Sequence, residues 1–176
     1  NSLLDPFSES TWVRQESVKA LEAVAEFAAV AAEKSRSLVP VVVSLSNDII
    51  PIDRFYSETA ELFERLSSDQ VTFSLQWLPP IAWYFGGSVV IHRVNSRRDI
   101  GHLLENGIPL TMDFSHLALG ENANLYKSLD IVESLSENIV HIHLSGAEGI
   151  DGEGTEFDTS DPHQRQLVQA AFDLAS

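Results

Sequence analysis

The apolar residues of the chain change their spacing several times, and this predicts helices and strands in alternation. From Gln15 to Ser35 they recur every three or four positions, which is the spacing of one helix face. Residues 39–48 are a β-branched run typical of a strand, and residues 54–68 return to helical spacing. By the same criteria, further strands are predicted at 71–77, 109–114 and 139–144, and further helices at 95–106, 124–136 and 163–175. Strands that alternate with helices indicate βαβ units and a parallel sheet.

Each predicted strand has one apolar face and one polar face. Between positions 71 and 76 the odd-numbered residues are apolar and the even-numbered ones, which end at Gln76, are polar. The other strands place Ser44, Thr111, Asp113, His141 and His143 on their polar faces. An open parallel sheet covered on both sides is apolar on both faces, whereas a barrel can direct polar residues inward. An α/β fold of the (β/α)8 barrel type is therefore predicted, as a single domain over residues 1–176.

Composition narrows the class of protein. The net charge of −15 opposes binding to nucleic acid, which needs clustered Lys and Arg. No apolar run approaches the roughly 18 residues of a membrane span, and the first residues have no signal-peptide pattern, so no membrane partner and a cytoplasmic location are expected. Cysteine is absent, so any metal must be bound through oxygen and nitrogen. The length of 176 residues is below the roughly 250 of a complete barrel.

Candidate ligands gather at the predicted carboxyl ends of the strands, where active sites of barrels lie. Gln76, Asp113 and His143 end three strands, and His116 and Glu153 follow in the next segments. A carboxylate and an imidazole suit a divalent metal such as Mn, Zn, Co or Mg. A single strand histidine is more often a hydrogen-bonded structural residue than a ligand. The shared position at successive strand ends nevertheless favours a site at Asp113 and His143.

Several segments resemble one known superfamily. LTMDFSHLAL, residues 110–119, resembles the strand that supplies an Asp ligand and a nearby His in the xylose-isomerase-like TIM-barrel superfamily of sugar phosphate isomerases and epimerases. IVHIHLSGAEGIDGEG is similar to the next strand, whose last His binds metal, and VTFSLQWLPP resembles the strand before them. The resemblance implies that Asp113 and His143 bind metal. His116 matches a histidine that contacts the substrate in the isomerases, or a second metal in their endonuclease relatives. It covers about the fourth to seventh βα units of that barrel.

Two departures from the superfamily pattern affect the expected chemistry. Gln76 stands where the superfamily has a metal-binding Glu, and an amide binds metal or substrate weakly and cannot accept a proton at neutral pH. The strand that brings a second catalytic Glu is not covered. We therefore expect either a fragment of a larger chain or a half-barrel that pairs with another chain, as in a homo-oligomer. Glu153 could replace the missing catalytic carboxylate, although GIDGEG also reads as a solvated turn.

The expected function is that of a divalent-metal-dependent isomerase or epimerase, which acts on a sugar or sugar phosphate by proton transfer next to a carbonyl. The first alternative is a barrel that binds sugar or metal without catalysis, because Gln76 replaces the expected Glu. The second alternative is phosphodiester hydrolysis as in the endonuclease relatives. That activity needs a basic groove and a cluster of metals, which the charge and Gln76 disfavour. The 176-residue chain alone is expected to be inactive.

Overall fold

The computed structural model describes residues 4–84, 87–158 and 160–175. Within these ranges the chain forms six α-helices: α1 (Thr11–Ser35), α2 (Ile52–Leu66), α3 (Arg97–Glu105), α4 (Phe114–Asn122), α5 (Ser128–Leu135) and α6 (Pro162–Leu174). It also forms eight strands: β1 (Val39–Val43), β2 (Val71–Gln76), β3 (Ile81–Tyr84), β4 (Gly87–Val90), β5 (Leu110–Asp113), β6 (Ile139–His143), β7 (Gly146–Glu148) and β8 (Gly152–Thr155). None of the described helices is both long and apolar enough to cross a membrane.

Four parallel strands form the central sheet in the order β1-β2-β5-β6. The sheet curls into a half-barrel, and the fold is mixed α/β as predicted. The closed eight-stranded barrel remains a prediction, because the described residues contain four strands of this sheet. Two antiparallel hairpins, β3-β4 and β7-β8, are additions that the sequence did not predict. The second of them includes Glu153, in a segment where we expected either a solvated turn or a catalytic loop.

The outward face of the sheet is the apolar face predicted from the alternation. Val71, Phe73 and Leu75 of β2 are at most 1% exposed and belong to one continuous hydrophobic cluster with residues of the helices. The ring of Phe63 in α2 lies 5.9 Å from that of Phe73. Full burial of one such side chain contributes about 1.5–3 kcal/mol, so the packing of helices on this face accounts for much of the stability.

The inward face of the sheet is polar, also as predicted. The hydroxyl groups of Ser74 and Thr111 lie 2.7 Å apart on β2 and β5, and both residues are fully buried. At the next inward positions along the strands stand Gln76 and Asp113. The same face of β6 carries His141 and His143, whose ring centroids are 5.3 Å apart. The strand alternation therefore directs the candidate site residues to one side of the sheet.

Candidate functional site

Three side chains meet at the carboxyl ends of β2, β5 and β6. Asp113 and His143 are directly paired in the parallel register, and Nδ1 of His143 lies 3.2 Å from Oδ2 of Asp113. The amide nitrogen of Gln76 lies 2.9 Å from the same carboxylate oxygen and 3.3 Å from Nδ1 of His143. The expected positions of Asp113 and His143 at neighbouring strand ends, on the same side as Gln76, are thus confirmed.

Asp113 has two separate roles because its two carboxylate oxygens face different groups. As the N-cap of α4, its Oδ1 accepts hydrogen bonds from the backbone N–H groups of Ser115 and His116 and from the Ser115 hydroxyl. An Asp cap satisfies N–H groups that a helix start leaves without partners. The cap explains why Asp113 and His116 are three residues apart, because an N-cap side chain accepts from the backbone N–H of the third residue after it. Oδ2 remains directed at Gln76 and His143.

Opposing effects act on the pKa of Asp113. Burial raises the pKa, but it is outweighed by the charge of His116 and by hydrogen bonds from Ser115, the His116 backbone and Gln76, so the pKa is held below its ordinary value. Desolvation penalises a carboxylate, whereas hydrogen-bond donors and positive charge favour it. Asp113 is therefore an anion over the whole neutral and mildly acidic range, as a cation ligand must be.

The orientation of Gln76 follows from its partners. A carboxylate only accepts hydrogen bonds, so the amide nitrogen of Gln76 must face Asp113 and its carbonyl oxygen must face the other way. That oxygen accepts a hydrogen bond of 2.6 Å from the hydroxyl of Ser44, which follows β1. A hydroxyl both donates and accepts, so Ser44 is able to bond either end of the amide. In the described arrangement, every polar atom of the Gln76 amide has a partner.

His116 lies beside this group and connects it to the β7-β8 hairpin. Nδ1 of His116 is 2.7 Å from the carbonyl oxygen of Trp77, and Nε2 is 2.9 Å from Oε2 of Glu153. Both partners have acceptor oxygens, so the two contacts fix the orientation of the His116 ring. Nδ1 also lies 3.7 Å from Oδ2 of Asp113. The structure thus brings Glu153 to His116, but not into contact with Gln76 or His143.

His141 lies one inward position before His143 on β6, farther from the carboxyl end of the strand. Partial burial lowers the pKa of His141, and the neighbouring His143 lowers it further. A histidine with a lowered pKa is neutral at physiological pH. His141 therefore adds no positive charge beside the metal-ligand candidates.

The residues fit a divalent cation in part. Among the described residues, no three His, Cys, Asp or Glu side chains are arranged to share one metal ion. Two such side chains do meet, and ligand distances of about 2.0–2.3 Å would separate adjacent octahedral ligand atoms by roughly 2.8–3.2 Å. The 3.2 Å between Asp113 and His143 is within this range. Gln76 would fit only with its amide turned over, because an amide oxygen is a ligand and an amide nitrogen is not.

Two groups that support the site were not singled out from the sequence. The Ser115 hydroxyl donates a hydrogen bond to Asp113. Tyr126 accepts a hydrogen bond of 3.0 Å from the Trp77 indole, and its own hydroxyl lies 3.4 Å from the backbone oxygen of His116. Burial raises the pKa of Tyr126 well above its ordinary value, which keeps it a neutral donor. The position of Ser115, two residues after an Asp that begins a helix, was the available signal, whereas the Trp77–Tyr126 contact depends on the fold.

The chain matches no protein-family model, no curated protein sequence and no solved structure. The resemblance to the xylose-isomerase-like superfamily therefore rests on the sequence segments quoted above. What the structure adds is independent of that resemblance: a curled parallel sheet and a set of side chains that meet at its carboxyl end.

Proposed function

We propose that this chain carries the cation- and substrate-binding end of a metal-dependent isomerase or epimerase for sugars or sugar phosphates, built on a (β/α)8 barrel. The observation that supports this proposal best is the meeting of Asp113 Oδ2 and His143 Nδ1 at adjacent strand ends. Carboxylate and imidazole from neighbouring strands are a usual ligand set for Mn, Zn or Co, and Mg would be held mainly by the carboxylate. When bound, such a cation would polarise a carbonyl and the neighbouring hydroxyl group of the substrate.

The residues of the chain would then have distinct tasks. Asp113 supplies a fixed negative charge, since three donors hold its other oxygen. His116 is oriented by the Trp77 carbonyl and presents an N–H on its opposite side, where Glu153 now accepts it. A substrate hydroxyl could take that place. Proton transfer itself needs a base, and Glu153, with 58% of its side chain exposed, is the candidate carboxylate in this chain.

The described position of Gln76 favours a second candidate function, namely sugar binding without turnover. Its amide nitrogen is hydrogen-bonded to both Asp113 and His143, and so satisfies these two groups without a metal. An amide also cannot remove a proton from carbon. Phosphodiester hydrolysis has less support, because it needs several metals and a basic groove in a chain of net charge −15.

Solvent exchange distinguishes these functions. The test uses the chain in an assembly that covers its inward face, incubated with Mn²⁺ in D₂O together with ketoses, aldoses and their phosphates. NMR then follows the incorporation of deuterium at the carbon next to the carbonyl. An isomerase incorporates deuterium, and Gln76→Glu should raise the rate by about 10²–10⁴-fold because it adds a positioned base. Sugar binding without exchange in either protein would support the binding function. Neither binding nor exchange would contradict both.

A further inference from the structure

One positive charge is buried without an ion-pair partner in the segment between β4 and α3. Arg93 is only 9% exposed. Its Nη2 donates to the backbone oxygen of Ile50 at 3.3 Å, whereas its Nε is buried and has no hydrogen-bond partner in the described part of the chain. Within those same ranges no Asp or Glu forms an ion pair with Arg93. A guanidinium keeps its charge in a protein, so burial without a counter-ion is costly.

Asp99 is the buried carboxylate of this region, but its oxygens are bonded to other groups. Oδ1 accepts a hydrogen bond from the Tyr56 hydroxyl. Oδ2 accepts from the backbone N–H groups of Asn95 and Ser96 and from the Ser96 hydroxyl. These bonds form the capping box that begins α3. An ion pair with Asp99 therefore does not explain why Arg93 is buried.

Arg93 lies at the carboxyl end of the sheet, the end that carries the proposed cation site. Its partner Ile50 is in the segment that joins the carboxyl end of β1 to α2. The next residue, Val94, accepts a hydrogen bond of 2.9 Å from the N–H of Leu78, just after β2, and donates one of 3.2 Å to the Tyr56 hydroxyl. Val94 has a φ of +57°, which a β-branched residue rarely adopts. These bonds hold the Arg93 segment against this end of the sheet.

The Arg93 side chain is beside a helix start that has no side-chain cap. Ile50 directly precedes Pro51, the N-cap residue of α2, which makes no side-chain hydrogen bond to the helix. Such a start leaves backbone N–H groups that can bind an anion, and the helix dipole favours negative charge there. Nη1 of Arg93 has no hydrogen-bond partner among the described residues and is open to solvent. An anion that approaches α2 from solvent can therefore reach the buried cation as well.

We propose that Arg93 and the N-terminus of α2 bind the phosphate group of the substrate, so that sugar phosphates are preferred over free sugars. This inference rests on the proposed function for the identity of the substrate, but the anion site itself does not involve Asp113 or His143. A phosphate dianion supplies the counter-charge and the acceptor oxygens that Arg93 lacks. Asp53, in the first turn of α2, is the opposing charge. Its side chain is 85% exposed, so solvent and salt screen its repulsion.

Phosphate binding by the metal-free chain tests the subsite separately from the cation site. Inorganic phosphate is titrated by calorimetry after metals have been removed with a chelating resin, and Arg93→Met should raise its dissociation constant at least about tenfold. Arg65→Met is the matched control, because it removes the same charge from the last turn of α2, about 20 Å from the N-terminus. It should leave phosphate binding unchanged. Absence of binding, equal losses in both variants, or tighter binding of acetate than of phosphate would overturn the proposal.

Thermal unfolding without phosphate shows whether Arg93 is present for a ligand or for the fold. Because its charge is uncompensated in the protein without ligand, Arg93→Met should raise the melting temperature by at least about 2 °C. Added phosphate should raise the melting temperature of the unsubstituted chain and not that of the variant. A lower melting temperature for the variant would show that Arg93 stabilises the fold, and equal effects of phosphate on both proteins would place the anion elsewhere. Either result would contradict the proposal.

Asp53→Asn gives a second test that leaves the buried residues unchanged. It removes the exposed negative charge from the first turn of α2, so phosphate should bind about two- to fivefold more tightly. Glu64→Gln, which removes an exposed charge near the other end of the same helix, should have no such effect. An affinity unchanged by Asp53→Asn would show that the anion does not bind at this helix start.

The preference for a phosphorylated substrate is measured with a ketose and its phosphate in the presence of Mn²⁺. The ketose phosphate should bind at least about tenfold more tightly than the ketose, and Arg93→Met should remove that difference. Equal affinities in the unsubstituted chain would overturn the assignment of Arg93 to a substrate phosphate. Intact binding of inorganic phosphate in a chain that binds neither Mn²⁺ nor the ketose would leave the anion site in place and contradict the proposed function alone.

Discussion

Nδ1 of His143 lies 3.2 Å from Oδ2 of Asp113, across the register pair that joins the ends of β6 and β5. Two residues thirty positions apart are brought together because parallel strands share their carboxyl edge. The Gln76 amide is hydrogen-bonded to both of them from β2. The arrangement is satisfied without a metal, and it would supply three ligand atoms to the proposed cation if position 76 offered an oxygen instead of an N–H.

Gln76→Glu should therefore lower the stability of the metal-free protein and raise its affinity for a cation. Without metal, a second carboxylate replaces the donor that Asp113 had, and the loss of a satisfied buried hydrogen bond costs about 1–3 kcal/mol. The melting temperature should fall. With Mn²⁺ the added negative ligand should tighten binding by about tenfold or more, which is at least about 1.4 kcal/mol. Thermal unfolding with and without Mn²⁺ measures both effects.

Gln76→Met provides the control for that comparison. It removes the amide without adding a charge, so it should lower the melting temperature but should not tighten Mn²⁺ binding beyond that of the unsubstituted chain. If Gln76→Glu and Gln76→Met responded equally to the metal, position 76 would not belong to the cation site.

The contacts of His116 join the β7-β8 hairpin to the rest of the site. Its two nitrogens face the Trp77 carbonyl at 2.7 Å and the Glu153 carboxylate at 2.9 Å, and neither partner donates. Glu153→Ala should remove the second contact and loosen the β7-β8 hairpin from α4. Faster amide hydrogen exchange in the β7-β8 hairpin should accompany that substitution. Unchanged exchange in the hairpin would show that the contact between Glu153 and His116 does not hold it in place.

Two glycine substitutions should have opposite effects. A Cβ on Gly120 would lie 2.0 Å from the Tyr126 hydroxyl, so Gly120→Ala must displace Tyr126 and break its bond to Trp77. Overpacking of this kind costs about 1–3 kcal/mol. Gly101, within α3, has no atom within 4 Å of its ideal Cβ, and Gly101→Ala should stabilise the fold by about 0.4–1 kcal/mol. Urea unfolding of both proteins checks the two signs.

Tyr56 should make the stability of the fold sensitive to alkaline pH. Its hydroxyl donates to Asp99 at 2.8 Å and accepts from the Val94 N–H at 3.2 Å. Burial, with the charge of Asp99, raises the pKa of Tyr56 far above its ordinary value. The folded pKa is the higher one, so this stabilisation is complete below about pH 10 and decreases as pH rises above it. The free energy of unfolding should therefore fall above pH 10.

Tyr56→Phe should lower the free energy of unfolding by about 1–3 kcal/mol at neutral pH, because Asp99 and Val94 lose a buried partner. The same substitution should also make the free energy of unfolding fall less above pH 10. Ser57→Ala, which removes an exposed hydroxyl on the same helix, should change neither quantity. If the free energy of unfolding of the Tyr56→Phe protein fell just as much above pH 10, groups other than Tyr56 would be responsible for that fall.

The sequence predicted the elements whose apolar spacing is regular. Strand β2 and helix α2 were located within two residues of their observed ends. Helix α4 was missed because its sequence, FSHLALGEN, is apolar and buried on several sides and has no clear period. The strand predicted at 39–48 ends at Val43 instead, and farther on Asn47 Oδ1 accepts from the N–H groups of Ile49 and Ile50, which turns the chain.

The alternation of side chains between the two faces of each strand was sufficient to predict that Gln76, Asp113 and His143 lie together. This period of two does not depend on how the sheet is completed. The hydrogen-bond directions within that group were not predictable. They depend on Ser44 and on the placement of the Gln76 amide, which sequence spacing does not describe. Likewise, the pairing of Glu153 with His116 follows from the docking of β7-β8 on α4, and short hairpins of this kind have little period of their own.

The most direct test of the proposed cation site is the affinity for Mn²⁺, measured by electron paramagnetic resonance of the free ion. We predict that the unsubstituted chain binds Mn²⁺, and that Asp113→Ala and His143→Ala each weaken binding at least about tenfold. His92→Ala should have no effect, because His92 is an exposed residue outside the contacts of the site. Circular dichroism confirms that each protein is folded. Absence of Mn²⁺ binding, or equal losses in all three variants, would contradict a metal site at Asp113 and His143.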